Sequence, residues 1–172
     1  MSAQDNIQNK IQELQQQYYS KNSKNYFLKN AQKQDCAAHI TRHIDITLLL
    51  EKTFSIDEKG IHLDYQTLKT YATPSNYEQI VSHMIALAQT YIQTYGKYDL
   101  HVNLKSFTIT AAQRNKEVIR LFCDKCMRTD TLFYNHLNTI YLYECPSLIQ
   151  TLHQLFGGFV DRDAKNKIVI IK

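Results

Sequence analysis

Two groups of side chains have the residue types and spacing of metal or redox sites. Cys123 and Cys126 form a CxxC pair, and Cys36, His39 and His43 share one face of another predicted helix. Zinc sites take three or four such ligands, usually from two CxxC pairs or from an HExxH motif. This sequence has one CxxC, inside a helical pattern, and no Glu beside the two histidines. We therefore predict reduced, structural cysteines and no metal site.

Motifs of the common catalytic sites are absent from the sequence. It has no GxSxG nucleophile elbow, no GxGxxG or Walker A loop and no HExxH helix. The acidic turn at 161–163 has the spacing of the first positions of a calcium loop, but the Gly and the terminal Glu of such a loop are missing. We predict no catalytic residues and no cofactor, so the protein is expected to bind its target and not to be an enzyme.

The composition is that of a globular protein with a modest positive charge. Of the 172 residues, 44% are hydrophobic and 21% are charged, and the formal net charge is +4. Lys and Arg are spread along the chain and form no basic arm, so no nucleic acid partner is expected. No apolar stretch reaches the roughly 18 residues of a transmembrane helix, and the first residues lack a signal core. We expect a cytoplasmic location.

Residues 1–35 are predicted to form a helical extension. Asp5 is suited to cap a helix, and the apolar residues that follow are spaced by four, three and four positions. They form a narrow stripe on a Gln-rich helix: Ile7, Ile11, Leu14 and Tyr18. A stripe this narrow does not support a free-standing helix, so it must dock on the rest of the chain or on a partner. These four side chains are therefore candidate partner-docking residues.

Residues 36–172 show an alternation of helices and strands. The predicted elements are helix 37–52, a turn at 57–60, a short edge strand at 61–65, helix 75–95 capped by Ser75 and stopped by Gly96, strand 100–104, helix 110–127 capped by Thr110, strand 139–143, a helix after Pro146, and strand 168–171. The last strand is a β-branched run, typical of a strand buried on both faces. Connections of this length favour right-handed crossovers. We therefore predict an α/β fold with a mostly parallel sheet flanked by helices.

The order of elements near the end of the chain resembles a known family. A strand runs into Cys145-Pro146, an amphipathic helix follows over 147–159, and a short turn leads to a strand that begins Lys167-Ile168. This string is similar to the strand, gate helix and Lys-Ile strand of CRAL-TRIO lipid-binding domains. Upstream, segment 99–107 resembles the first central strand of that family. The resemblance implies a CRAL-TRIO-like α/β domain over 36–172, in a divergent and shortened member of the family.

The resemblance also implies a physical mechanism that depends on the gate helix. In the family this helix covers a hydrophobic cavity, and its apolar face meets a membrane when the cavity opens. Burial of an acyl chain contributes about 0.8 kcal/mol per methylene group, so one chain provides most of the binding free energy. The candidate ligand-binding residues that follow from the resemblance are Leu148, Ile149, Leu152, Leu155, Phe156, Phe159 and Lys167.

The headgroup positions of the family are only partly matched. Phosphatidylinositol-binding members have a Glu, a Thr and a Lys where this chain has Asn135, Ala164 and Lys167. Only the Lys is retained, so the resemblance does not extend to inositol recognition. Lys167 is either a contact for a phosphate or an ordinary surface residue at the start of a strand.

Two functions are compatible with the sequence. The first is a non-catalytic CRAL-TRIO-like module that binds a lipid or another hydrophobic ligand, at the periphery of a membrane. The alternative is a degenerate CRAL-TRIO-like domain that serves as a structural or adaptor subunit of a larger protein assembly. In that case a protein partner would bind through the N-terminal helix.

Overall fold

A computed structural model of the chain describes residues 3–145, 158 and 162–171. Its helices are α1 (Ala3–Lys21), α2 (Lys29–His43), α3 (Ile46–Thr53), α4 (Tyr65–Tyr71), α5 (Tyr77–Tyr95), α6 (Ile109–Arg114), α7 (Lys116–Cys126), α8 (Leu132–His136) and α9 (Arg162–Lys165). Its strands are β1 (Phe54–Asp57), β2 (Gly60–Asp64), β3 (Tyr98–Asn103), β4 (Leu137–Tyr143) and β5 (Ile168–Ile171). The helix predicted after Pro146 lies outside the described residues.

The five strands form a single sheet in the order β1-β2-β3-β4-β5. β1 and β2 form an antiparallel hairpin, and β2 to β5 pair in parallel. Parallel neighbours need a crossover connection, and helices occupy the connections between these strands. The predicted α/β fold with a mostly parallel sheet and flanking helices is confirmed.

The sequence predicts only half of the hairpin that begins the sheet. The turn at 57–60 is present, but β2 lies between β1 and β3, so the prediction of an edge strand is wrong. The outer strand on this side of the sheet is β1, which was not predicted. It has four residues, of which only Phe54 is buried. A pattern this short does not distinguish a strand from the end of the preceding helix.

Alternating side chains give the sheet an apolar face and a polar face. Ile61, Leu100 and Ile140 are paired across three strands and are 0%, 1% and 6% exposed. They pack in one core with the buried residues of α5. Successive residues of a strand point to opposite faces, so the residues that alternate with them point away from this core.

Helix α1 belongs to the same core. Ile11 and Leu14 are buried in it, and Ile7 and Tyr18 pack against it. The sequence allowed this stripe to dock on the chain itself or on a partner, and the structure describes docking on the chain itself. Binding of a protein partner to the same stripe stays a prediction.

The helix predicted over 37–52 is broken into α2 and α3. Ile44 and Asp45 have extended backbone conformations between the two helices. The Asp45 carboxylate caps α3 by accepting a hydrogen bond from the Thr47 N–H at 2.7 Å. The apolar residues Ile40, Ile44 and Leu48 keep a spacing of four through this point, so the sequence predicts one helix. The Asp45 cap begins a second helix here instead.

Two predicted caps are wrong by one or two positions. The Thr108 hydroxyl, not that of Thr110, caps α6 by accepting from the Ala111 N–H, and the predicted helix 110–127 divides at Asn115 into α6 and α7. Asn76, not Ser75, precedes α5. Its side chain accepts from the Thr73 N–H and donates to the Tyr71 carbonyl, so it closes the preceding turn. Gly96 ends α5 as predicted, with φ of 82°.

Strand β5 is more exposed than predicted. Val169, Ile170 and Ile171 are 40%, 39% and 38% exposed. Among the described strands, β5 pairs only with β4. The prediction of a strand buried on both faces is therefore wrong. β-Branched residues favour strands wherever those strands lie, so the run identifies a strand but not its place in the sheet.

Candidate ligand-binding site

Two strands share a four-residue pattern that places two histidines side by side on the polar face of the sheet. β2 contains Ile-His-Leu-Asp at 61–64, and β3 contains Leu-His-Val-Asn at 100–103. The strands pair in register, with His62 beside His101 and Asp64 beside Asn103. Paired residues of adjacent parallel strands point to the same face, so both imidazoles lie on the face opposite the helical core.

Four rings form a stack across β2, β3 and β4, which we call the ring ladder. The His62 and His101 rings are 4.6 Å apart with an interplanar angle of 12°. On the other side of His101, the Tyr141 ring is stacked at 5.0 Å and 14° and the Tyr143 ring at 5.8 Å and 22°. Stacked aromatic rings stabilise one another at these separations. The ring ladder therefore forms an ordered row of stacked rings across the middle of the sheet.

Hydrogen bonds fix the orientation of His101. Its Nε2 lies 3.2 Å from the Lys59 carbonyl oxygen, which can only accept, so Nε2 holds the ring proton. Its Nδ1 lies 2.8 Å from the Tyr143 hydroxyl, which forms a second hydrogen bond with the ring. His101 is only 8% exposed, so a rotation of the ring would leave buried polar atoms without partners.

His62 is held by an acidic side chain at the β1–β2 turn. Its Nε2 donates to Asp57 Oδ1 at 2.9 Å. This hydrogen bond is the main reason that the pKa of Asp57 lies below its ordinary value, and it outweighs the opposing effect of desolvation. The hairpin turn and the ring ladder are thus joined by an ionised carboxylate.

The ring ladder borders a pocket of about 260 Å³ at the carboxyl ends of β2, β3 and β4. The lining residues are Lys52, Thr53, Ser55, His62, Leu63, Asp64, His101, Asn103 and Tyr143. Open parallel sheets bind their ligands at the carboxyl ends of their strands. The volume is below the roughly 300–1,000 Å³ of sites that enclose a drug-sized molecule, so the pocket fits a polar group of a larger ligand.

Two groups left for a ligand in this pocket, the Lys52 ammonium and the Asn103 side-chain amide, are hydrogen-bond donors. Asp64 is already occupied, because its carboxylate accepts from the Gln66 N–H, the Thr67 N–H and the Thr67 hydroxyl at the start of α4. The side-chain Oδ1 of Asn103 accepts from the Lys105 N–H, which leaves the N–H groups of the Asn103 side-chain amide to donate. Lys52 forms no ion pair with another described residue. The arrangement suits an oxygen-rich or anionic group.

Backbone strain is found just after the carboxyl ends of β3 and β4. Ser106 and Glu144 have φ of 62° and 49°, and they are the non-glycine residues with positive φ in the described chain. Ser106 follows β3 and Glu144 directly follows β4. Such conformations cost about 1 kcal/mol or more and often occur at ligand sites, so they agree with a ligand site at the carboxyl ends of these strands.

The polar face changes character from β2 to β5. His62 and Asp64 on β2 are followed by the two tyrosines of β4 and then by Val169 and Ile171 on β5. The register pairs Tyr141 with Val169 and Tyr143 with Ile171. One sheet face therefore has a polar end at the pocket and an apolar end at β5.

The residues predicted from the family resemblance lie partly outside the described chain. This applies to the six on the gate helix: Leu148, Ile149, Leu152, Leu155, Phe156 and Phe159. Lys167 is described, and its ammonium donates to the Tyr134 carbonyl at 3.0 Å and to the Leu137 carbonyl. It also lies 4.0 Å from the centroid of the Tyr134 ring. Lys167 thus joins α8 to the start of β5, and its contact with a phosphate stays a prediction.

Cys123 and Cys126 are buried, and His43 is hydrogen-bonded within α2. Burial raises the pKa of Cys123 to about 11 and that of Cys126 to about 12, so both remain protonated at neutral pH. The His43 Nδ1 donates to the His39 carbonyl at 2.8 Å. Within residues 3–145 and 162–171, no three His, Cys, Asp or Glu side chains are grouped as metal ligands.

Sequence reasoning missed the ring ladder because its residues alternate with buried ones. In an alternating strand, His62, His101 and Tyr141 are assigned to a solvated face and receive no function. The signal that identifies them is the tetrapeptide repeated in β2 and β3, an apolar residue, His, an apolar residue and then Asp or Asn. If the two strands pair in register, the histidines must stack.

No protein-family model matches the chain, and its sequence matches no curated protein. No helix in the described part of the chain combines the length and apolar character needed to cross a bilayer. The structure is similar to the crystal structure of Sfh5, with 14% sequence identity and a TM-score of 0.56. The match covers 84% of this chain and 56% of the Sfh5 chain, so this chain spans little more than half the length of its structural neighbour. Sfh5 is a CRAL-TRIO-type protein, and this degree of likeness shows the fold alone. The chain therefore has a distant CRAL-TRIO-like fold.

Proposed function

We propose that the protein is a non-catalytic module that binds a lipid or another hydrophobic ligand across the polar-to-apolar face of its sheet. The observation that supports this most directly is the change in character of that face. A donor-rich pocket lies at β2 and β3, and β5 exposes Val169 and Ile171. The CRAL-TRIO-like fold, which the structural likeness shows independently of this face, agrees with the proposal.

The dimensions of the face suit an amphiphile. Three inter-strand spacings of about 4.8 Å separate β2 from β5, so the polar and apolar ends are roughly 14 Å apart. A ligand that places an oxygen-rich group in the pocket can lay an apolar chain over the ring ladder toward β5. Each buried methylene group would contribute about 0.8 kcal/mol, and the pocket would select the polar group.

Binding without catalysis agrees with the chemistry of the pocket. Its one carboxylate, Asp64, is occupied by hydrogen bonds from α4, and its buried imidazole, His101, is fixed by two further bonds. Neither group is placed to activate a nucleophile. We infer that these side chains orient a ligand and do not transform it.

The first experiment asks whether a ligand is present. The purified protein is examined by native mass spectrometry, and its organic extract is analysed for lipids. We expect an amphiphile at near-stoichiometric amount, or saturable uptake of a fluorescent phospholipid by the empty protein. A protein that is empty as purified and takes up no phospholipid or fatty acid would refute the proposal.

A matched pair of variants tests where the ligand lies. Val169 and Ile170 are neighbours on β5 with 40% and 39% exposure, but they point to opposite faces of the sheet. Val169→Gln should lower uptake, because it places an amide on the ligand-binding face. Ile170→Gln should leave uptake unchanged. Equal losses in the two variants would mean that the ligand does not lie on the face of the ring ladder.

A further inference from the structure

The loop between α1 and α2 exposes three large apolar side chains in succession. Tyr26, Phe27 and Leu28 are 85%, 93% and 55% exposed. Single exposed apolar residues are common, but a contiguous group of them marks an interaction site. The Tyr26 and Phe27 rings pack against each other edge to face, with centroids 6.1 Å apart, and so form one apolar surface.

Hydrogen bonds within the loop hold these side chains outward. The Gln32 side chain accepts from the Asn25 N–H at 2.9 Å and donates to the Ser23 carbonyl at 2.8 Å. The Asn25 side chain accepts from the Phe27 N–H at 2.9 Å. Side chains of the loop and of α2 therefore satisfy the N–H groups of Asn25 and Phe27 and the carbonyl of Ser23, and Phe27 is exposed on a hydrogen-bonded turn.

The sequence around the loop has positive charge and no negative charge. Segment 14–34 contains four lysines and no Asp or Glu, and the lysines are Lys21, Lys24, Lys29 and Lys33. The fold brings further cations to the start of α2. Burial lowers the pKa of Lys33, and the charges of Arg114, Lys29 and Lys69 lower it further. Within the described chain, none of these cations forms an ion pair with a carboxylate.

We propose that the α1–α2 loop, residues 22–28, is a membrane-insertion loop that binds an anionic bilayer surface. Tyr26, Phe27 and Leu28 enter the interfacial region, and the surrounding lysines contact anionic headgroups. The loop does not line the pocket beside the ring ladder, so this inference does not depend on the proposed ligand-binding function.

A bilayer fits these observations better than a folded protein partner. The apolar residues stand at the tip of a projecting turn, which suits a soft planar surface, and aromatic residues favour the membrane interface. Each Lys near an anionic surface strengthens binding about fivefold. A buried Phe side chain adds roughly tenfold or more. Contributions of this size to membrane affinity give reversible, salt-sensitive binding.

The absence of tryptophan from the chain permits a direct test. Phe27→Trp places a single Trp reporter in the loop. With vesicles of phosphatidylcholine and phosphatidylserine, its fluorescence should shift to the blue, and raised salt should reverse the shift. Vesicles of phosphatidylcholine alone should have little effect. Leu132→Trp, at a 51% exposed apolar position on α8, is the control and should show no shift.

Sedimentation with the same vesicles measures the contribution of each part of the loop. Tyr26→Ser with Phe27→Ser should lower the fraction bound at least about tenfold. Lys24→Gln with Lys29→Gln should also weaken binding, whereas Lys59→Gln, at the β1–β2 turn, should leave it unchanged. Circular dichroism of each variant checks that it is folded, which is expected because the altered side chains are exposed.

Three results would overturn the inference. The first is a failure of the unaltered protein to sediment with anionic vesicles at low salt. The second is sedimentation that the paired serine variant does not diminish. The third is a blue shift that appears without vesicles and grows with protein concentration, because that would assign the loop to a contact between copies of the chain.

Discussion

At the scale of single residues, Gly60 lies directly against the backbone of β3. Its φ is 143°, and a Cβ atom there would lie 2.2 Å from the Asp99 carbonyl oxygen and 3.0 Å from its carbon. These atoms belong to the backbone of β3 and cannot move aside as a flexible side chain would. Gly60→Ala should therefore lower the free energy of unfolding by about 3 kcal/mol or more, measured by urea denaturation with circular dichroism.

Gly96 provides the matched control for Gly60. It also has positive φ, 82°, but nothing lies within 4 Å of the position of a Cβ atom. Gly96→Ala should therefore cost only the conformational penalty of an L-residue, about 1–2 kcal/mol. Equal losses at the two glycines would show that β2 and β3 can separate slightly without cost.

None of the residues that line the pocket was predicted as a site residue from the sequence. Lys167 was identified from the family resemblance, but its contacts with the Tyr134 and Leu137 carbonyls involve residues far away in the sequence. The stack of His62 on His101 depends on the register of two strands separated by two helices. Residue type and spacing specify which face of a strand a side chain occupies, but not which neighbour that face meets.

At the scale of elements, Asp45 lies between α2 and α3 and caps the start of α3. Its carboxylate accepts from the Thr47 N–H at 2.7 Å. Asp45→Ala should lower the free energy of unfolding by about 1 kcal/mol, whereas Asp45→Asn keeps an acceptor and should cost much less. The readout is the midpoint of urea denaturation. If Asp45→Ala left that midpoint unchanged, the cap would not contribute to stability.

The alternation of helices and strands was predictable because it follows from the periodicity of apolar residues. The breaks within the predicted helices were not predictable, because there a capping side chain competes with the hydrogen bonds of a continuous helix. Strands β3 and β4 and helix α5 have long, unambiguous patterns. Between α2 and α3 the apolar spacing continued, and a single capping carboxylate ended the helix. Leu48 shows the consequence: it continues the apolar spacing of α2 but is 43% exposed, whereas Leu49 and Leu50 are buried.

At the scale of the whole molecule, α1 raises the question of how many folding units the chain has. The sequence suggested a separate extension over residues 1–35. Ile11 and Leu14, however, are buried in the same cluster as Leu49, Leu100 and residues of α5. A helix that contributes two fully buried side chains to the main core should unfold with it.

Ile11→Ala tests whether α1 and the sheet form one cooperative unit. The substitution removes most of a side chain that is 0% exposed, so it should lower the free energy of unfolding by about 2–5 kcal/mol. Gln12→Ala, on the exposed side of the same helix, should change it little. The unfolding transitions followed by far-ultraviolet circular dichroism and by tyrosine fluorescence should coincide and shift together. If Ile11→Ala removed amide-exchange protection from α1 alone and left the main transition in place, the extension would fold separately. The predicted boundary near residue 35 would then be the correct description.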